Sequence, residues 1–153
     1  MIYDTGALSN ALMFDHAYKI LNERLQQGAK VGNMKDAGLI VPVAVNCAFS
    51  CELLLKSMLP IGTKGHKLYN DLFLKLDTTL ANNIKKIVVQ IIEETKTDYS
   101  DKDFENDLIA NEAAFEQWRY FHEGKTSPSF DLAFMGVFQA CLKGIAGSEA
   151  TAP

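Results

Sequence analysis

PVAVNCAFSCELLLKSML, residues 42–59, lies between a loop containing Gly32 and Gly38 and a stop formed by Pro60 and Gly62. At about 100° per residue, Val43, Cys47, Leu54 and Met58 fall on one side of a helix, and Ala48, Leu55 and Leu59 widen the apolar arc. Phe49 and Leu53 extend it from the other side, so the segment predicts a helix that is apolar nearly all round and central to its fold. The β-branched run IVPVAV at 40–45 is the one place where a strand competes, and Pro42 inside it demotes the strand.

The flanks read as helices in both directions. Asp4 or Thr5 caps a first helix over about 6–28, with Leu8, Leu12, Ala17, Ile20 and Leu21 as its buried face and Gly28 as its stop. Residues 66–76 suit a short third helix. Asp77 caps a fourth, in which Leu80, Ile84, Ile87 and Ile91 recur at the spacing of a buried stripe. Ser100 and Asp103 make a capping box for a fifth helix over about 101–123, closed by Gly124. Ser129 caps a sixth over about 130–144, and Pro42, Pro60, Pro128 and Pro153 each fall near a helix boundary. The fold expected is an all-α, up-and-down bundle of five to six helices. It forms one domain over 1–147, and a tail, 148–153, frays.

Composition agrees with this. A chain of 153 residues with 48% apolar and 22% charged residues has the balance of one globular domain, and nine Phe, five Tyr and one Trp argue against disorder. Three cysteines without CxxC spacing argue against a secreted disulfide framework, and no apolar run is expected to reach a membrane span of about 18 residues. The N-terminus lacks the pattern of a signal peptide, and the expectation is a cytoplasmic protein that makes no membrane contact. The net charge of −4 arises in one place, since residues 93–116 carry two Lys against nine acids. That balance makes DNA an unlikely partner.

Two helices carry the charged groups of interest. Glu52 falls among Ala48, Leu55 and Leu59, where an unpaired carboxylate is costly. On the fifth helix Phe104, Leu108, Phe115 and Trp118 set an inward stripe that also takes Asn111 and His122, with Arg119 beside it. A Glu52–Arg119 pair between the two helices is the leading expectation. Lys56 is the local partner for Glu52, and Glu116 or Glu123 the local partner for Arg119. Cys47 and Cys51 at i, i+4 read as core thiols, and no metal or cofactor site is expected. His66, with Lys64 and Lys67, is a candidate anion contact. Trp118, Tyr120, Phe121, Phe130, Phe134 and Phe138 crowd one end, which predicts a homodimer face.

The blocks NCAFSCELLLKSML at 46–59, GHKLYNDLF at 65–73 and FEQWRYFHEG at 115–124 resemble the HEPN-like helical proteins. The resemblance implies a small bundle that usually dimerises. Many such proteins are metal-independent ribonucleases in toxin–antitoxin, phage-defence or RNA-processing systems, and others are inactive and bind nucleotides or protein partners. Active members pair an Arg with a His about five to seven positions further along one helix. Here the candidates are Arg119 and His122, only three apart, and Tyr120 follows the Arg. The expected function is therefore a non-catalytic HEPN-like module that binds a ligand or partner through Glu52, Arg119, His122, Lys64, His66 and Lys67. A ribonuclease with a rearranged Arg119/His122 site is the first alternative. An unrelated helical regulatory or phage-encoded interaction protein is the second.

Overall fold

Asp4 opens the first helix, its Oδ1 accepting the Ala7 backbone N–H at 2.9 Å and satisfying a donor that every helix start leaves free. The computed structural model describes residues 1–124 and 129–151 and carries this helix, α1, from Thr5 to Lys30. Five more follow in chain order: α2 (Ile40–Ser57), α3 (Thr78–Glu93), α4 (Asp101–Asn111), α5 (Ala114–Arg119) and α6 (Leu132–Ala150). No strand occurs among the described residues, and the protein is an all-α helical bundle. The IVPVAV run is the first turn of α2, where the N–H that proline lacks has no helical acceptor.

Paired contacts give the directions. Tyr3 N donates to Ser57 O, Ser50 Oγ donates to Ala11 O, and Phe14 meets Phe49, so α1 and α2 run antiparallel. Cys47 meets Met135 and Ser50 meets Gln139, which sets α6 parallel to α2. Helix α2 touches α1, α5 and α6, as its all-round apolar surface predicts, and Val43, Ala44, Cys47, Ala48, Cys51 and Leu54 are fully buried. Phe104 and Phe138 are fully buried too, and Phe104 lies 5.5 Å from Phe73 and 6.1 Å from Phe138, ring centre to ring centre.

Several boundaries depart from the sequence reading. Gly28 does not stop α1. It is buried where the 3-10 turn Met34–Leu39 folds back, and a Cβ there would lie 2.5 Å from the Cβ of Asp36, so glycine serves a close approach. The buried face of α1 is Ala11, Asp15, Tyr18 and Gly28, while Leu12 and Ile20 are exposed. Residues 66–76 form a single π turn (Leu68–Leu72) and a 3-10 turn (Phe73–Lys75) in place of a regular helix. The expected fifth helix has its Ser100–Asp103 capping box but breaks after Asn111. There the Glu112 carbonyl accepts Leu68 N, the Glu112 carboxylate accepts Asn70 N and Nδ2, and Asn111 Oδ1 accepts Asp131 N. A tertiary partner thus takes the Glu112 carbonyl, which a continuous helix would use, and the side chains of Asn111 and Glu112 tie the break to neighbouring segments.

Asp131 caps α6 in place of Ser129, its Oδ1 accepting Phe134 N at 2.9 Å. The helix continues to Ala150 instead of fraying from 148. Thr151 Oγ1 is within hydrogen-bond distance of the Gly147 and Ser148 carbonyls, and Glu149 pairs with the Met1 amino group. Pro128 and Pro153 lie outside the described residues. One apolar stretch is longer than the sequence reading allowed: Met34–Ser57 has the length and mean hydropathy (1.9) to cross a membrane. In this fold half of that window is buried, because α2 is the core helix.

Candidate functional site

Glu52 is where α2 departs from its apolar composition, and its side chain is 1% exposed. Its Oε1 accepts from Lys56 Nζ at 2.7 Å and from His66 Nδ1 at 2.9 Å, while its Oε2 is buried with no hydrogen-bond partner among the described residues. Lys56 arrives from the next turn of the same helix, the i, i+4 spacing that brings side chains together. His66 arrives from the loop after α2. Two potential cations therefore share one carboxylate oxygen, and the carboxylate, as acceptor, fixes the imidazole with its proton on Nδ1 and its other nitrogen, Nε2, uncommitted.

The loop that delivers His66 is tightly specified. Asp71 Oδ2 accepts the backbone N–H groups of His66 (3.0 Å) and Lys67 (3.1 Å), and Lys75 Nζ donates to Lys64 O. Gly65 has φ 119°, and a Cβ there would sit 2.4 Å from the Cβ of Asp71, so only glycine lets the chain pass. The N–H groups of Lys67 and His66 hold the Asp71 carboxyl below its usual range. Lys64 and Lys67 are exposed on either side of His66, which is 57% exposed at its side chain. Beside Lys56 lies a cavity of about 300 Å³ lined in part by Asp4, Asn10 and Thr63.

Arg119 is not the partner of Glu52. The break after Asn111 shifts the phase of everything beyond it, so a projection drawn through one continuous helix fails there, and Lys56 and His66 already occupy the carboxylate. Arg119 is exposed instead, its guanidinium 4.9 Å from the Phe115 ring centre and 4.4 Å from that of Tyr120, with one N–H donated to Tyr120 Oη at 2.6 Å. No ion pair joins it to Glu116 or Glu123 among the described residues. Arg119→Met should thus change stability by no more than about 1 kcal/mol in denaturant melts, the scale of an exposed cation–π contact. The loss expected of a broken buried pair is several times larger.

Helix α5 ends at Arg119, and His122 follows in a separate 3-10 turn, Phe121–Glu123, fully at the surface. The inward position expected for His122 is not found, although Asn111 and Trp118 on the same stripe are buried. The aromatic excess at this end is smaller than the sequence implied. Phe134 and Phe138 are core residues, Phe121 stacks on the buried Trp118, and Tyr120 and Phe121 are exposed at 46% and 48%.

Cys47, Cys51 and Cys141 are free and buried, and burial raises the Cys141 thiol to about 11. Among the described residues no group of three His, Cys, Asp or Glu is placed to hold a metal ion.

One polar constellation escaped the sequence reading. Asp15, 3% exposed, accepts from Gln139 Nε2 at 2.8 Å and from Lys143 and Lys19, and Gln139 also reaches Ser50 Oγ. The available signal was an Asp in register with Ala11 and Tyr18 on α1. Burial by itself raises the Asp15 carboxyl, but the hydrogen bonds and charges of Lys143 and Lys19 outweigh it and hold the group below its ordinary value. Gln139 and Ser50 are buried while Lys19 and Lys143 reach the surface, and the cluster joins α1, α2 and α6. Compared with known proteins, the chain matches no family model, no curated protein and no solved structure.

Proposed function

We propose that this protein is a non-catalytic, HEPN-like helical module that works by binding. The observation that carries this reading is the separation of Arg119 from His122 by a helix end: Tyr120, at φ −102° and ψ 20°, leaves the helical conformation between them. A His–Arg ribonuclease needs a positioned imidazole to move a proton and a cation aimed at developing phosphate charge. Arg119 is instead stacked between two rings and hydrogen-bonded to Tyr120, and His122 stands apart on an exposed turn. The groups that do converge are Glu52, Lys56 and His66, an arrangement suited to recognition because Glu52 holds both of the others in place.

The test is incubation of purified protein with labelled single-stranded RNA in the presence of chelator. The expected result is no cleavage above the protein-free control, with His122→Ala behaving as the parent does. Chelator-resistant cleavage by the parent that disappears in a folded His122→Ala protein would overturn this reading and favour the rearranged ribonuclease.

A further inference from the structure

From the loop that seats His66 on Glu52, we infer that the surface formed by Lys56, Lys64, His66 and Lys67 is a binding site for a tetrahedral oxyanion, the phosphate group or its analogue sulfate. The inference rests on the binding reading above and names the ligand class. Its first support is local charge. Residues 52–76 carry four lysines against Glu52 and Asp71, in a chain whose net charge is −4. Its second is commitment. Asp71 accepts from the backbone of its own loop, its charge offsetting part of that of Lys67 and Lys75, and Glu112, the acidic neighbour from the end of α4, is hydrogen-bonded to Asn70.

Glu52 then has one buried oxygen facing two cations. Lys56 Nζ gives one of its three N–H groups to that oxygen, and the other two have no partner among the described residues. With His66 protonated, Oε1 sits between an ammonium and an imidazolium, both within 3 Å, and one positive charge is left uncompensated at the surface. Lys64 and Lys67, adjacent in the chain to Gly65 and His66, add to it. A double- or single-negative oxyanion supplies the missing charge and accepts from Nε2–H and from the lysines in short, charge-assisted hydrogen bonds.

The Asp71 clamp and the Gly65 conformation keep this loop in place before any ligand arrives, so ordering it costs binding little. Only the imidazolium has a second N–H to give, so binding must tighten on acidification. The charged groups that bear on this are Glu52 and Lys56 from α2, Lys64, Lys67, Asp71 and Lys75 from the loop and its turns, and Glu112.

Calorimetric titration of the full chain with sulfate, whose charge does not change across the neutral range, at constant ionic strength set with chloride, tests the site. Nuclear magnetic resonance of the His66 ring reports position. The expected result is saturable binding that shifts the His66 resonances and strengthens at lower pH. His66→Ala and the double change Lys64→Ala with Lys67→Ala should each weaken it by about tenfold or more, His66→Ala should remove its pH dependence, and Lys86→Ala on α3 should leave it unchanged. All these side chains are exposed, so the variants should fold, which thermal melts confirm. A parallel titration with phenyl phosphate separates a free oxyanion site, where only sulfate binds, from one that takes an esterified phosphate, where both do. No binding of either probe, or binding untouched by both variants, would overturn the site. Neither result bears on RNA cleavage, which tests the non-catalytic reading separately.

Discussion

Truncation of Phe104 to alanine should lower the stability of the fold by about 3–5 kcal/mol, the range for removing a fully buried ring. Phe104 has no exposed surface, and its ring centre lies 5.5 Å from Phe73, 6.0 Å from Phe134 and 6.1 Å from Phe138. It therefore joins α4 to α6 and to the 3-10 turn after Asp71. The cavity left behind is bounded by three other rings that cannot all relax inward, because Phe134 and Phe138 are fixed on α6 and Phe73 on the 3-10 turn. Equilibrium unfolding in urea measures the loss. A loss under about 1 kcal/mol would mean that α4 is not docked as described. Because Phe73 follows two residues after the clamp on the His66 loop, the same variant should increase hydrogen exchange at the amides of His66 and Lys67.

Asp15→Ala should cost about 2–3 kcal/mol, chiefly because it strands an amide N–H of Gln139, a residue 1% exposed. Lys143 and Lys19 contribute less, since both side chains are part-exposed at 37% and 55% and can turn to water. The double change Asp15→Leu with Gln139→Leu should recover much of the loss, since it removes acceptor and donor together. Additive losses would show that the two groups are not coupled. The pH dependence has a fixed sign. The folded carboxyl lies below its ordinary value of 3.8, so its contribution is complete above that value and is lost as pH falls through the folded one. Acid unfolding monitored by circular dichroism should accordingly be less steep in Asp15→Asn.

Much of the fold was legible because its signals are local. The Asp4 and Asp77 caps and the Ser100–Asp103 box act within one helical turn, and each appears where the sequence placed it, whereas Gly28, expected as a stop, is carried inside α1 by its contact with Asp36. The apolar circumference of residues 42–59 likewise left that helix no place but the centre. The π turn at Leu68–Leu72 and the break after Asn111 were not legible, because Leu68 and Asn70 claim the groups of Glu112 from 42 or more residues away in the chain.

For the candidate site, the sequence determined that Glu52 needs a cationic partner, since a carboxylate on a core helix cannot be left alone, and it offered Lys56 at i, i+4 for that purpose. Tertiary structure decided the rest. It brought His66 from 14 residues away onto the same oxygen, left Arg119 at the surface with Phe115 and Tyr120, and turned the buried face of α1 toward Asp15 instead of Leu12. The small side chain of Ala11 lets α1 approach close enough for Ser50 to reach its carbonyl at 3.1 Å, and that approach carries Asp15 inside. Side-chain periodicity within one helix specifies which residues share a face. Which face is buried depends on the shape and hydrogen bonding of the neighbour packed against it, which single-helix periodicity does not contain.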